Sequence, residues 1–231
     1  MKAFENGITK SEFMTEIRKH QEMDAFIRGT YGEEDGDTFR GCAVGCSLKS
    51  VSKIKNINLN TSDHSLFETH LGIPRWLARL EDTLFENISR ERIKTWPVDF
   101  AEAINQGADL SKILVPMLIF IVESAREKTN NERSLSAIDG VLNELKKHSI
   151  DYDLLRKAHA AADAAAYAAY AAAAAYAAAS AAAYAATYAA AAAADAAAAA
   201  AAAADAAAAA SRVNQYNIFA DKLLELIREC K

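Results

Sequence analysis

The stretch Thr38-Phe39-Arg40-Gly41-Cys42-Ala43-Val44-Gly45-Cys46-Ser47 gathers the residue types best suited to binding or reaction. Small residues at positions 41, 43, 45 and 47 let a backbone come close to a ligand. A cation such as Arg40 beside free N–H groups is what an anion or phosphate site requires. Thr38, Arg40, Gly41, Cys42, Gly45, Cys46 and Ser47 are therefore the candidate ligand-binding residues. A plainer reading competes, in which a glycine-bearing helix packs tightly on its neighbour and both thiols are buried as small apolar groups. The run has no Walker lysine pattern, so its phosphate signal is weak.

Other chemistry has less behind it. Cys42 and Cys46 stand one helical turn apart, but with His64 and His70 the spacing departs from zinc ribbons and fingers, and no metal ligand or cofactor is assigned. Cys42 or Cys46 could pair with His64 or His20 as a nucleophile and base, yet three cysteines and five histidines offer such pairs by chance, and no catalytic residue is assigned. Glu81 and Asp82 are adjacent, so on a helix they diverge; they read as solvated partners of Arg75, Arg79 or Lys55. The acidic run at 33–37 lacks the calcium-loop pattern.

The elements that must position these groups are helical. Apolar periodicity predicts a helix over 11–28, capped by Ser11 and stopped by Gly29. Another covers 74–88 with Trp76, Leu77, Leu80, Leu84 and Ile88 on one face. Shorter helices follow at 98–105 and 134–147. Before the second of these, an apolar segment at 113–122 carries Pro116, which kinks that helix or marks its true start. Residues 51–60 alternate weakly and are open between a strand and a connector. The fold class is all-α: a compact helical domain over 1–150, then a long alanine-rich helical segment over 151–231 with an amphipathic end.

Of the 53 residues at 158–210, 42 are alanine. Alanine has the highest helix propensity, and no glycine or proline interrupts the run. Unbroken, this block would extend roughly 80 Å. Its polar and aromatic residues share one half of the helix and leave the other half bare alanine, a face suited to close helix–helix approach. Such a strip should be covered. Packing in a homo-oligomer is preferred over a folded-back hairpin, since no turn residue marks a hairpin tip. The apolar tail, with Ile218, Phe219, Leu223, Leu224, Leu226 and Ile227, is expected to dock on the N-terminal domain or on a neighbouring subunit.

The net charge of −5 comes without any long run of like charge, so neither nucleic acid nor a membrane surface is expected as a partner. Three cysteines without a secretory leader point to a reducing cytoplasm.

The segments RGCAVGCSL, HLGIPRWLARLEDTLFEN and WPVDFAEAINQGADL, the alanine block and ADKLLELIREC together resemble a family of uncharacterised proteins of tailed bacteriophages and prophages. That resemblance implies a setting in the host bacterial cytoplasm and carries over no functional residue. The expected function is a non-enzymatic, oligomeric accessory protein that binds a small anionic ligand, such as a nucleotide signal, or a host protein, and so counters host defence. A cysteine- or metal-dependent hydrolase and a structural virion or scaffold component are the alternatives.

Overall fold

The computed structural model describes residues 2–35, 38–130, 132–147 and 191–230. It is mostly helical and bears out the all-α reading. The readings made for 151–190 lie outside the described residues. The chain clusters into two compact units, Met1–Met117 with Ala210–Lys231, and Leu118–Ala209.

In the first unit, helix α1 (Lys10–Glu22) starts at a capping box in which Thr9 Oγ1 accepts from the Glu12 N–H while the Glu12 carboxylate accepts from the Thr9 N–H. These reciprocal bonds satisfy two end donors and contribute about 1 kcal/mol. The helix stops at Met23 and does not continue to Gly29, because Asp24 turns left-handed at φ 50°. The chain at 25–27 bonds instead to Gly41, whose N–H donates to Ala25 O at 3.0 Å and whose carbonyl accepts from the Ile27 N–H at 2.9 Å.

An antiparallel hairpin follows, β1 (Glu33–Asp35) against β2 (Thr38–Arg40), with Glu33 opposite Arg40 and Glu34 opposite Phe39. Helix α2 (Ala43–Lys55) then runs from the Cys42 cap to Asn56, which ends it in the left-handed region at φ 51°. Half of the ambiguous 51–60 segment is thus helix and the remainder an irregular connector. Four more helices complete the globule: α3 (Ser65–Leu71), α4 (Arg75–Asn87), α5 (Arg90–Ile93) and α6 (Trp96–Ala103).

The core holds Trp96, Phe67, Phe85, Leu48, Leu77 and Leu84, each essentially inaccessible. Phe4 and Ile8 join it from the extended N-terminal segment, which is held by Ala3 N–H to Ala108 O at 3.1 Å and Gly107 N–H to Ala3 O at 2.7 Å. Asp109 caps a 3₁₀ turn (Leu110–Ile113) that leads into α7 (Leu114–Arg126). Pro116 therefore sits in the first turn, where its missing N–H has no intrahelical partner to lose.

In the second unit, α8 (Glu132–Leu145) is joined to α7 by Arg126 and Asp139 at 2.6 Å and by Lys146 and Glu123 at 2.9 Å. These pairs are exposed and contribute little.

Helix α9 (Ala191–Glu229) carries the tail. Its last turns bury Ala220, Leu223, Leu224 and Ile227 at i, i+3, i+4, i+7 spacing within the first unit. Asn217 Oδ1 accepts from the Ser89 N–H at 3.2 Å, Arg92 pairs with Asp221, and the Asn105 amide donates to Cys230 O at 3.1 Å. Of the two docking places expected for the tail, the N-terminal domain is the one it occupies.

Candidate functional site: the two ends of helix α2

Helix α2 has a dry end and an open end. At the amino end, Cys42 is the cap, and its Sγ accepts from the Gly45 N–H at 3.4 Å. Gly41, Cys42, Gly45, Cys46 and Ser47 are all buried. A Cβ on Gly45 would lie 1.8 Å from Tyr31 O, and one on Gly41 would lie 3.0 Å from Gly32 Cα. The close approach these glycines permit is thus made by the chain's own Tyr31–Gly32 backbone. Cys46 Sγ lies 3.5 Å from Gly41 O and 3.8 Å from Ala25 O. Burial pushes its thiol up to about 12 and raises that of Cys42 as well, so both are protonated at neutral pH. Neither is placed as a nucleophile. Arg40 is half-buried on β2, and Thr38 opens that strand.

Beside Cys42, helix α4 presents a polar cluster. Asp82 Oδ2 accepts from the Tyr31 hydroxyl at 3.1 Å and stands 3.1 Å from His64 Nε2. The Tyr31 and His64 rings meet edge to face, with centroids 5.7 Å apart. Burial, and then the charge of Asp82, pushes the Tyr31 hydroxyl up to about 12. Glu81, expected as a solvated partner of basic residues, is instead 1% exposed, and burial raises its carboxyl well above the ordinary range. Its position on the inward face of α4, about one helical turn from the buried Ala78 and Phe85, overrides its polarity. Of the four residues weighed for metal binding, only Cys42 and His64 reach this neighbourhood. His70 lies 3.2 Å from Lys55 Nζ, and Cys46 faces carbonyls.

The carboxyl end of α2 borders an open cleft of about 610 Å³, lined by Phe39, Lys49, Ser52, Lys53, Asn56 and the connector to Thr61. That volume falls in the ordinary range for small-molecule sites. Lys49 Nζ lies 5.1 Å from the Phe39 ring centroid, a cation–π contact, while Lys53 reaches Glu16 at 2.9 Å. Among the described side chains, which do not include those of 34–38, no carboxylate lines the cleft. Ser52 Oγ is buried without a partner, and Ile57 remains 42% exposed at the rim. Behind Phe39, the buried His20 ring packs edge-on with centroids 6.1 Å apart, and burial holds its pKa below the ordinary value.

The sequence reading placed ligand binding on 38–47 and passed over 49–61. A signal was present there: Lys49 and Lys53 at i, i+4 share a helix face and lead into the amide-rich NINLN run. No protein-family model, no curated protein and no solved structure matches the chain.

Proposed function

We propose that this protein is a non-enzymatic binding protein for a small anionic ligand of nucleotide size, taken up in the Phe39–Lys49–Lys53 cleft. One observation carries this reading: a cleft of about 610 Å³ brings together the Lys49 and Lys53 ammonium groups, an aromatic ring and side-chain amides, with no carboxylate among its described lining residues. An anion there gains charge-assisted hydrogen bonds of about 1.5–3 kcal/mol each. The cleft adjoins the Gly/Cys segment, sharing Phe39 with the strand that carries Arg40. The buried, protonated thiols give the cysteine-hydrolase alternative no support.

The same proposal includes a homo-oligomer packed through the alanine-rich segment, and an accessory role in the infected bacterial cell, the setting that the resemblance implies. The alanine face in the sequence supports the first part, and the resemblance alone supports the second. Native mass spectrometry tests the oligomer: a single species at 24.9 kDa would remove it.

The binding test is isothermal titration with pyrophosphate, AMP and a cyclic dinucleotide, on the wild-type chain and on the Lys49→Glu/Lys53→Glu double variant. At least one probe is expected to bind the wild type and to lose about tenfold or more in affinity on the variant. Absence of binding by all three, or equal affinity in the variant, would overturn the proposal.

A further inference from the structure

The polar cluster at the amino end of α2 has a different chemistry from the cleft. Donor atoms of Cys42, Asp82 and Glu86 all lie within 4.8 Å of one another. His64 Nε2 is 3.1 Å from Asp82 Oδ2. Ligand atoms around a tetrahedral zinc-class ion, at bond lengths of 2.0–2.3 Å, are separated by about 3.3–3.8 Å. The Cys42, Asp82 and Glu86 donors, already within 4.8 Å of one another, need to close by about 1 Å to share such an ion, with solvent as the fourth ligand.

Charge and unmet bonding point the same way. Asp82 and Glu86 stand one helical turn apart on α4, and among the described residues no lysine or arginine forms an ion pair with either within 4.0 Å. Arg28 donates to the carbonyls of Phe85 and Ile88 and acts on Glu86 through its charge alone, and both Glu86 oxygens accept from the Gly29 N–H at 3.2 Å. Asp82 Oδ1 is buried and has no protein partner, although Oδ2 of the same carboxylate accepts from Tyr31. A buried carboxylate oxygen without a partner costs free energy that a cation would recover. The Cys42 sulfur, 1% exposed at the residue level, accepts from the Gly45 N–H, as a metal-bound thiolate commonly does.

We propose that Cys42, Asp82 and Glu86 form a binding site for a divalent ion of the zinc class, with His64 and Tyr31 holding the Asp82 carboxylate in place. The sulfur-and-oxygen donor set suits that borderline-soft ion better than magnesium or calcium, which take oxygen ligands. Asp82 contributes the oxygen that the protein leaves unpartnered, and Tyr31 holds the other oxygen from behind. On binding, the Cys42 thiol loses its proton to solvent and the thiolate ligates the ion. The ligands come from the α2 cap and two turns of α4, so the ion ties those two helices of the first unit together.

The test uses the full chain loaded with cobalt(II) as a spectroscopic stand-in, with zinc affinity measured by competition against a chromophoric chelator. One equivalent should bind with a thiolate-to-cobalt charge-transfer band, and Cys42→Ser should abolish that band while Cys230→Ser keeps it. Glu86→Gln, at a part-exposed position where the amide oxygen can still accept from the Gly29 N–H, should weaken zinc binding about tenfold or more. No stoichiometric binding by the wild type, a band that survives Cys42→Ser, or unchanged affinity in Glu86→Gln would each overturn the site. Circular dichroism identifies any variant that has not folded, and in that case Glu86→Gln decides alone.

Discussion

The two ends of α2 lie between three and four helical turns apart and use their side chains in opposite ways. The amino end, from Cys42 to Ser47, is packed so closely on the Tyr31–Gly32 backbone that glycine is required at 45. The carboxyl end holds Lys49 and Lys53 beside open space. Unusual composition therefore marks the place where the chain packs on itself, while a run of common residue types borders the cleft. A glycine- and cysteine-rich segment signals close approach, and the partner in that approach is as readily protein as ligand.

This contrast breaks most sharply under a thiol probe. Alkylation of native protein should be suppressed at Cys42 and Cys46 by about a thousandfold or more relative to the unfolded chain, because access requires opening of the core. Rapid native labelling, read by mass spectrometry in metal-free buffer, would mean that the amino end is not dry.

Next in size is Gly45→Ala, whose added methyl meets the Tyr31 carbonyl. Overpacking of this kind costs about 1–3 kcal/mol, and the rigid backbone neighbour places it toward the upper end. Urea denaturation measures it, and Gly140→Ala, with nothing within 4 Å of the added carbon, is the control expected to be neutral or slightly stabilising. At the other end of the helix, Lys49→Glu/Lys53→Glu should change stability by only about 0.5 kcal/mol while removing anion binding. If the double variant unfolds the protein, the distinction between a packing end and a binding end fails.

The smallest expected effect is a pH dependence between the two ends. His20 packs behind Phe39 and faces Glu16, Lys49, Lys53 and the Phe39 carbonyl, with burial lowering its pKa below 6.5. The unfolded chain therefore takes up a proton at a higher pH than the folded protein does. Stability from this group is fully present above about 6.5 and is lost as pH falls below it. Urea midpoints at pH 7.5 and 5.5 should show the loss in the wild type and a smaller one in His20→Gln.

Much of the fold was legible in the chain. The 3.6-residue periodicity around Leu77, Leu84 and Ile88 located α4, and the tail's Leu223, Leu224 and Ile227 announced a face that had to be buried. Boundaries were less legible. The end of α1 depended on a left-handed Asp24 and on hydrogen bonds to Gly41, which are made across sequence distance and leave no local pattern. The candidate site was half legible: 38–47 stood out by composition, but Tyr31 drew no reading and Glu81 and Asp82 were read as solvated partners of basic residues.

The sequence by itself determined that the chain is helical, that it carries an apolar tail needing cover, and that alanine dominates 158–210, because propensity and periodicity are local properties of the chain. Only the tertiary structure decided which groups meet. It brought Asp82 to Tyr31, His64 and Cys42, sank Glu81 into the core, and left Lys49 and Lys53 at the edge of a cleft. Burial and proximity depend on how elements pack, and that packing sets the desolvation and charge that turn ordinary side chains into a site.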